Sequence, residues 1–169
     1  NDYARTLGMA SNLEKACAQL LAAVPQAVDV GCVNGSWFVE TLSFGLDAAI
    51  ALDTIERRAR TGRTGTALYM EAGFDQLLHH LDSYSYELSL DGAPPVAGRS
   101  IIFAVQLGPY YGGGFKVCPD ARLDSGRFDL CIAHPPVSKA KAAYIFLRAK
   151  GGGHTGFKPI EMLSAARLH

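Results

Sequence analysis

The residues best placed to do chemistry lie between Tyr110 and Leu130, in YYGGGFKVCPDARLDSGRFDL, where Gly112, Gly113 and Gly114 stand a few positions before a short acidic turn. A phosphate-cradling loop needs its glycines between a strand and a helix, so that backbone N–H groups and the helix N-terminus face the anion. Here they lead into Phe115-Lys116-Val117-Cys118-Pro119, an extended sequence without G-x-G-x-x-G spacing. They read instead as a bulge or a close approach of backbones within a sheet. The turn, Pro119 to Asp129, offers Asp120, Asp124 and Asp129 and the carbonyls around Ser125-Gly126, hard oxygen donors of the kind Mg²⁺ or Ca²⁺ prefers. It lacks the alternating carboxylates and closing Glu of an EF-hand loop, and a plain hydrogen-bonded Asp/Ser/Gly turn is the competing reading.

Other reactive residue types carry less. His79 and His80 are adjacent on a helical stretch, so they point in different directions and do not chelate as an i, i+4 pair would. His154, inside GGGHTG, reads as a surface histidine in a mobile loop. Cys17, Cys32, Cys118 and Cys131 include no C-x-x-C pair, so reduced, mostly buried thiols are expected rather than a zinc or redox site. No Ser/His/Asp or Cys/His arrangement supports nucleophilic catalysis. With 16 basic and 16 acidic residues the basic surplus that drives counterion release is missing, so nucleic acid is not an expected partner. Apolar stretches such as Ala16 to Val24 fall short of the ~20 residues that span a bilayer. Asn1 to Ala10 has no signal-peptide pattern, and a cytoplasmic protein is expected.

Elements must position these residues, and 169 residues suit one domain. Ser11-Asn12 followed by Glu14 caps a helix over Leu13 to Val24, which Pro25 ends. A strand is expected at Ala27 to Val30, and Asn34-Gly35 between β-branched and aromatic residues predicts a hairpin. Helical spacing recurs over Leu46 to Arg60 and Thr66 to Leu81, with TGRTG as linker. The period then becomes two: YSYELSLDG alternates, RSIIFAVQL is a continuous apolar run, and FKVC and RFDLCIAH follow. Ser138 opens a helix over Lys139 to Lys150, stopped by Gly151-Gly152-Gly153, and Phe157 to His169 reads as extended. Helices in groups and strands in succession predict an α+β or sandwich-type domain rather than a doubly wound parallel sheet.

Four stretches together, NDYARTLGM, VDVGCVNGSWFVETLSFGLDA, YYGGGFKVCPDARLDSGRFDLCIA and GGHTG, resemble the bacterial diacylglycerol kinase and related lipid kinase family in order and spacing over essentially the whole chain. The resemblance implies a C-terminal β-sandwich domain with flanking helices, of the NAD kinase/diacylglycerol kinase-like fold. An α/β nucleotide-binding domain would precede it, with the active site in the cleft between them. It also implies Mg²⁺-assisted transfer of the γ-phosphoryl of ATP to a lipid hydroxyl such as that of diacylglycerol, by positioning, charge neutralisation and one general base.

Residue by residue, Asn1 and Asp2 match the end of the family's G-T-x-N-D motif, where the Asp joins a nucleotide and metal network. Gly112, Gly113 and Gly114 match the loop beside the cleft. Asp124 and Ser125, with the backbone carbonyls of Arg122 and Arg127, align with a structural Mg²⁺ site. Ser125 replaces the usual second Asp there, so weak or absent Mg²⁺ affinity is expected. The G-G-D-G-T phosphate motif and nucleotide-binding domain are not in this chain, and the general base, in a D-G-E segment, is expected downstream of His169. No catalytic residue is therefore assigned, and the 169 residues alone are expected to be inactive. The expected partner is a lipid at the cytoplasmic membrane face, with a homodimer compatible. Trp37, Phe38, Phe44, Phe74, Tyr110 and Tyr111 read as core residues, with an acyl-chain cavity as the alternative. A non-catalytic lipid- or nucleotide-binding module, or a kinase of a soluble substrate such as NAD, are the rival readings.

Overall fold

The computed structural model describes residues 1–169. A short helix α1 (Asp2–Thr6) precedes α2 (Leu13–Leu21), whose cap is Asn12, accepting from Lys15 N–H at 3.0 Å. The hairpin β1 (Gly31–Val33) and β2 (Ser36–Phe38) turns at Asn34-Gly35, both at positive φ (48° and 80°), as a two-residue hairpin turn requires. Then come β3 (Thr41–Gly45), α3 (Leu46–Thr61), α4 (Thr66–His79), β4 (Tyr84–Leu88), β5 (Val96–Ser100) and β6 (Ile102–Gln106). β7 (Tyr110–Tyr111), β8 (Phe115–Lys116), β9 (Phe128–Ala133), α5 (Lys139–Ala149) and β10 (Ile160–Ala165) complete the chain.

The central sheet is antiparallel throughout, in the order β10-β9-β6-β3. Alternation splits its side chains between two faces. Ala104 and Cys131 face a core built with Leu46, Ile50, Tyr69, Ala72 and Leu77 from α3 and α4, and with α5. Phe103, Val105, Leu130 and Ile132 face the other way, against Tyr86 and Leu88 of β4 and Leu168. Full burial of a side chain such as Ile132 is worth about 1.5–3 kcal/mol. α3 and α4 are joined through Gly62, left-handed at φ 69°, and Arg57 ties them together by pairing with Asp53 at 2.8 Å on its own helix and with Glu71 at 3.1 Å and Asp75 on α4. Mixed helices and an antiparallel sheet make this the expected α+β domain. No helix is long and apolar enough to cross a membrane.

Several expectations need correction. Ala27 to Val30 is not a strand; pairing begins at Gly31, because Asp29 spends its polar groups on the acidic turn, N–H to Leu123 O at 2.6 Å and Oδ2 to Gly126 N–H at 2.7 Å. RSIIFAVQL is two strands, β5 and β6, broken at Ile101, whose N–H donates to Ala133 O and whose carbonyl accepts from Leu46 N–H. Cys17 and Cys32 are exposed, and only Cys118 and Cys131 are buried. Trp37 (73 % exposed) and Phe44 (51 % exposed) are surface residues, not core. Phe38 and Phe44 instead border an open apolar groove of about 1190 Å³ on the β3-β6-β9 face.

Candidate functional site

Residues separated by most of the chain meet at the glycine hairpin. β7 and β8 pair Tyr110 with Lys116 and Tyr111 with Phe115, leaving Gly112, Gly113 and Gly114 at the tip at φ 61°, 81° and 96°. Such φ values favour glycine, and at Gly112 any Cβ would also collide with the Tyr69 ring. The glycines thus do what the sequence suggested, letting backbone approach a neighbour closely. Asn1 caps α1, accepting from Ala4 N–H at 3.3 Å, so that Asp2 lies over the tip: its Oδ2 accepts from Gly113 N–H at 2.7 Å and its Oδ1 pairs with Arg5 at 2.7 Å. The Gly113 carbonyl accepts from Lys150 Nζ at 3.2 Å and from Thr66 Oγ1 at 3.3 Å.

Positive charge gathers around this tip. The Arg5 guanidinium lies 5.7 Å from the centre of the Tyr110 ring and Lys150 Nζ lies 5.1 Å from that of Phe115. Lys116 runs past Gly152, and Arg148 lies against Gly153 in the loop after α5. That loop, Gly151 to Gly156, has G-x-G-x-x-G spacing, but it follows a helix and leads into a strand, so it is not a dinucleotide loop.

Two buried carboxyl groups underlie the hairpin, and neither stood out in the sequence. Glu40, 6 % exposed and at φ 67°, accepts from Thr6 Oγ1 and from Tyr110 N–H at 3.4 Å, joining α1 to β7; burial pushes its carboxyl up, and Oε2 has no partner. Asp47, 2 % exposed in the first turn of α3, accepts from Tyr69 OH at 3.2 Å and is pushed up to about 6 by burial, which Tyr111, Ser43 and Tyr69 only partly offset. The tyrosines under the tip therefore rest on Asp47. Its sequence signal is that of an acidic residue at a helix N-terminus, which conceals its burial.

His154 also departs from expectation. It is 3 % exposed, with Nε2 at 3.0 Å from Val117 O and 3.6 Å from Cys131 Sγ. Burial lowers its pKa, so the ring is neutral, with Nε2–H donating to Val117 O and Nδ1 a bare acceptor. His79 bonds within its own helix, to Asp75.

The acidic turn is held by its own bonds. Arg122 grips Asp124 with two bonds, Nε to Oδ1 at 3.0 Å and Nη2 to Oδ2 at 3.1 Å, which lower its carboxyl. Ser125 donates its N–H to Arg122 O at 3.4 Å, and its hydroxyl bonds Arg127 N–H at 3.2 Å and Arg127 O at 3.3 Å. Asp129 is half-buried and pushed up by that burial, while Asp120 is exposed. No group of three or more His, Cys, Asp and Glu side chains is gathered as metal ligands. The structure thus brings Asn1 and Asp2 to Gly112–Gly114, and keeps Arg122, Asp124, Ser125 and Arg127 in a separate turn.

A "Diacylglycerol kinase" of Bacillus subtilis (strain 168) is 30 % identical over 133 residues, covering 78 % of this chain and 43 % of the relative. A "Probable lipid kinase YegS-like" of Pseudomonas syringae pv. syringae (strain B728a) is 31 % identical over 138 residues, 80 % of this chain and 43 % of the relative. The crystal structure of a diacylglycerol kinase from Bacillus anthracis str. Sterne superposes with a TM-score of 0.69 at 22 % identity, over 100 % of this chain and 53 % of that one, a likeness of fold. The chain thus spans about half the length of the proteins it matches. Over residues 40–169 it matches the family described as the YegS C-terminal NAD kinase beta sandwich-like domain, and it belongs to that family.

Proposed function

We propose that the chain is the C-terminal domain of an ATP-dependent lipid kinase, moving the γ-phosphoryl group to a lipid hydroxyl of the diacylglycerol type at a membrane surface. The observation that carries this reading is the glycine hairpin flanked by Arg5 and Lys150, with Lys116 on its second strand, which suits a polyphosphate. The relatives named diacylglycerol kinase and lipid kinase support it. Arg5 and Lys150 would hold phosphate oxygens, and Asp2 would orient Arg5 and the Gly113 amide. Magnesium, when bound with the nucleotide, would neutralise charge on the transferring group. The acidic turn does not fit that ion as it is folded, since the Asp124 oxygens are spent on Arg122 and the Ser125 hydroxyl on Arg127.

Titration with Mg·ATP tests the phosphate reading: binding is expected to be saturable and to weaken about tenfold or more in Lys150→Met, the worth of a charge-assisted hydrogen bond. Equal affinity in the two proteins overturns it. Calorimetry with MgCl₂ alone is expected to show no micromolar site, and one whose heat disappears in Asp124→Asn would return the turn to a metal role. In a labelled-ATP assay with diacylglycerol micelles the 169 residues are expected to give no labelled lipid, and clear labelling ends the claim that they are inactive alone.

A further inference from the structure

Beneath the hairpin, between the sheet and helices α3, α4 and α5, lies a cavity of about 80 Å³ whose lining is apolar apart from a few side chains. Two of these, Asp47 and His154, are 2 % and 3 % exposed, and each keeps one polar atom, Oδ2 and Nδ1, without a hydrogen bond in the protein; the Tyr111 and Ser43 hydroxyls near Asp47 do not reach bonding geometry, and only Tyr69 OH does, at Oδ1. Buried polar atoms are nearly always satisfied, so a pair left open on one cavity marks a missing third party. Both are acceptors: Oδ2 belongs to a carboxylate, and Nδ1 is bare because Nε2 carries the proton toward Val117 O. Whatever completes them must bring two donor hydrogens.

We propose that this cavity is a binding site for the head of an amphiphile, a group with two hydrogen-bond donors on an apolar stem, one donor going to Asp47 Oδ2 and the other to His154 Nδ1. At about 80 Å³ the space takes a head and its first carbons and no more. The stem would leave along Leu81, Val137 and Pro159, which line the cavity and are half-buried. A 1,2-diol and a protonated amine share the required chemistry. The diol of a monoacylglycerol is the one that rests on the lipid-kinase reading above, whereas a diacylglycerol, with a single free hydroxyl, would fill only one of the two acceptors. The groove on the opposite face of the sheet is larger, but it holds no buried unpaired polar atom.

The test uses the 169-residue protein without nucleotide, so it is independent of phosphoryl transfer. 1,2-Hexanediol, hexylamine and 1-hexanol are titrated while the imidazole ¹⁵N signals are followed by NMR. Saturable binding of the diol is expected, moving the His154 Nδ1 signal while those of His79 and His134 stay in place. Asp47→Asn should weaken it tenfold or more, and 1-hexanol, with one donor, should bind at least tenfold less tightly. Tighter binding of hexylamine than of the diol keeps the two-donor site and assigns it to an amine, which removes the glycerol lipid as its natural occupant. No saturable shift with either two-donor probe, or 1-hexanol binding as well as the diol, overturns the site and leaves water as the occupant.

Discussion

Asp47→Asn is expected to stabilise the protein by about 2–3 kcal/mol at pH 7.5 and to change little at pH 3.5. The carboxyl of Asp47 rises from 3.8 in the unfolded chain to about 6 in the fold, because burial outweighs the hydroxyl bonds around it. A group raised on folding adds stability that is complete below pH 3.8 and is lost as the pH climbs through 6. Each pH unit between the two values is worth about 1.4 kcal/mol. Asparagine resembles the protonated acid and is spared that loss. His154 acts in the opposite sense: burial lowers its pKa, so its contribution is present above its unfolded value of 6.5 and lost on acidification. The comparison at each pH is therefore made between variant and parent, where the histidine cancels. Urea unfolding at pH 3.5, 5.5 and 7.5 reads the difference directly, and a gain independent of pH would show that the carboxylate is not what the fold pays for.

Gly45→Ala is expected to cost about 3 kcal/mol or more. Gly45 ends β3 and starts α3 at φ 78° and ψ −142°, a region essentially closed to residues with a Cβ. An added methyl would also run into the carbonyl of Ile101, the oxygen that accepts the Leu46 N–H at 2.9 Å. Gly126→Ala separates the two effects, since Gly126 is at φ 66° with open space around it, so only backbone strain of about 1–2 kcal/mol is expected. If both variants lose the same stability in urea, the backbone contact at Ile101 is not the cause.

Most helices and the hairpin were legible because their signals are local. Asn34-Gly35 dictates its own turn, Ser138 accepts from Lys141 N–H as a cap should, and Gly62 takes the left-handed end of α3. What escaped depends on distant partners. Ile101 breaks an unbroken apolar run because Leu46 and Ala133 claim its backbone. His154 looks mobile among glycines, yet Val117, far earlier in the chain, holds its ring inside. The three glycines stand out by composition, but the bond from Gly113 N–H to Asp2 leaves no trace in the sequence, since nothing local joins residues so far apart. Asp47 and Glu40 stayed hidden because a carboxyl gives no sign in sequence of whether water will reach it.

The order of the central sheet bears on its breathing. β9 is flanked by a partner on each side, whereas β3 pairs only with β6 and stands at an edge. Strands held on one side open at lower free energy than central ones. Opening β3 would also loosen Gly45, the start of α3, and with it the helix turn that carries Asp47. Native-state hydrogen exchange should find the bonded amides of Thr41–Gly45 exchanging through smaller openings than those of Phe128–Ala133, with equal protection as the contrary result. An edge strand would then set how fast anything enters or leaves the interior, a rate written into the topology rather than into any one residue of the cavity wall.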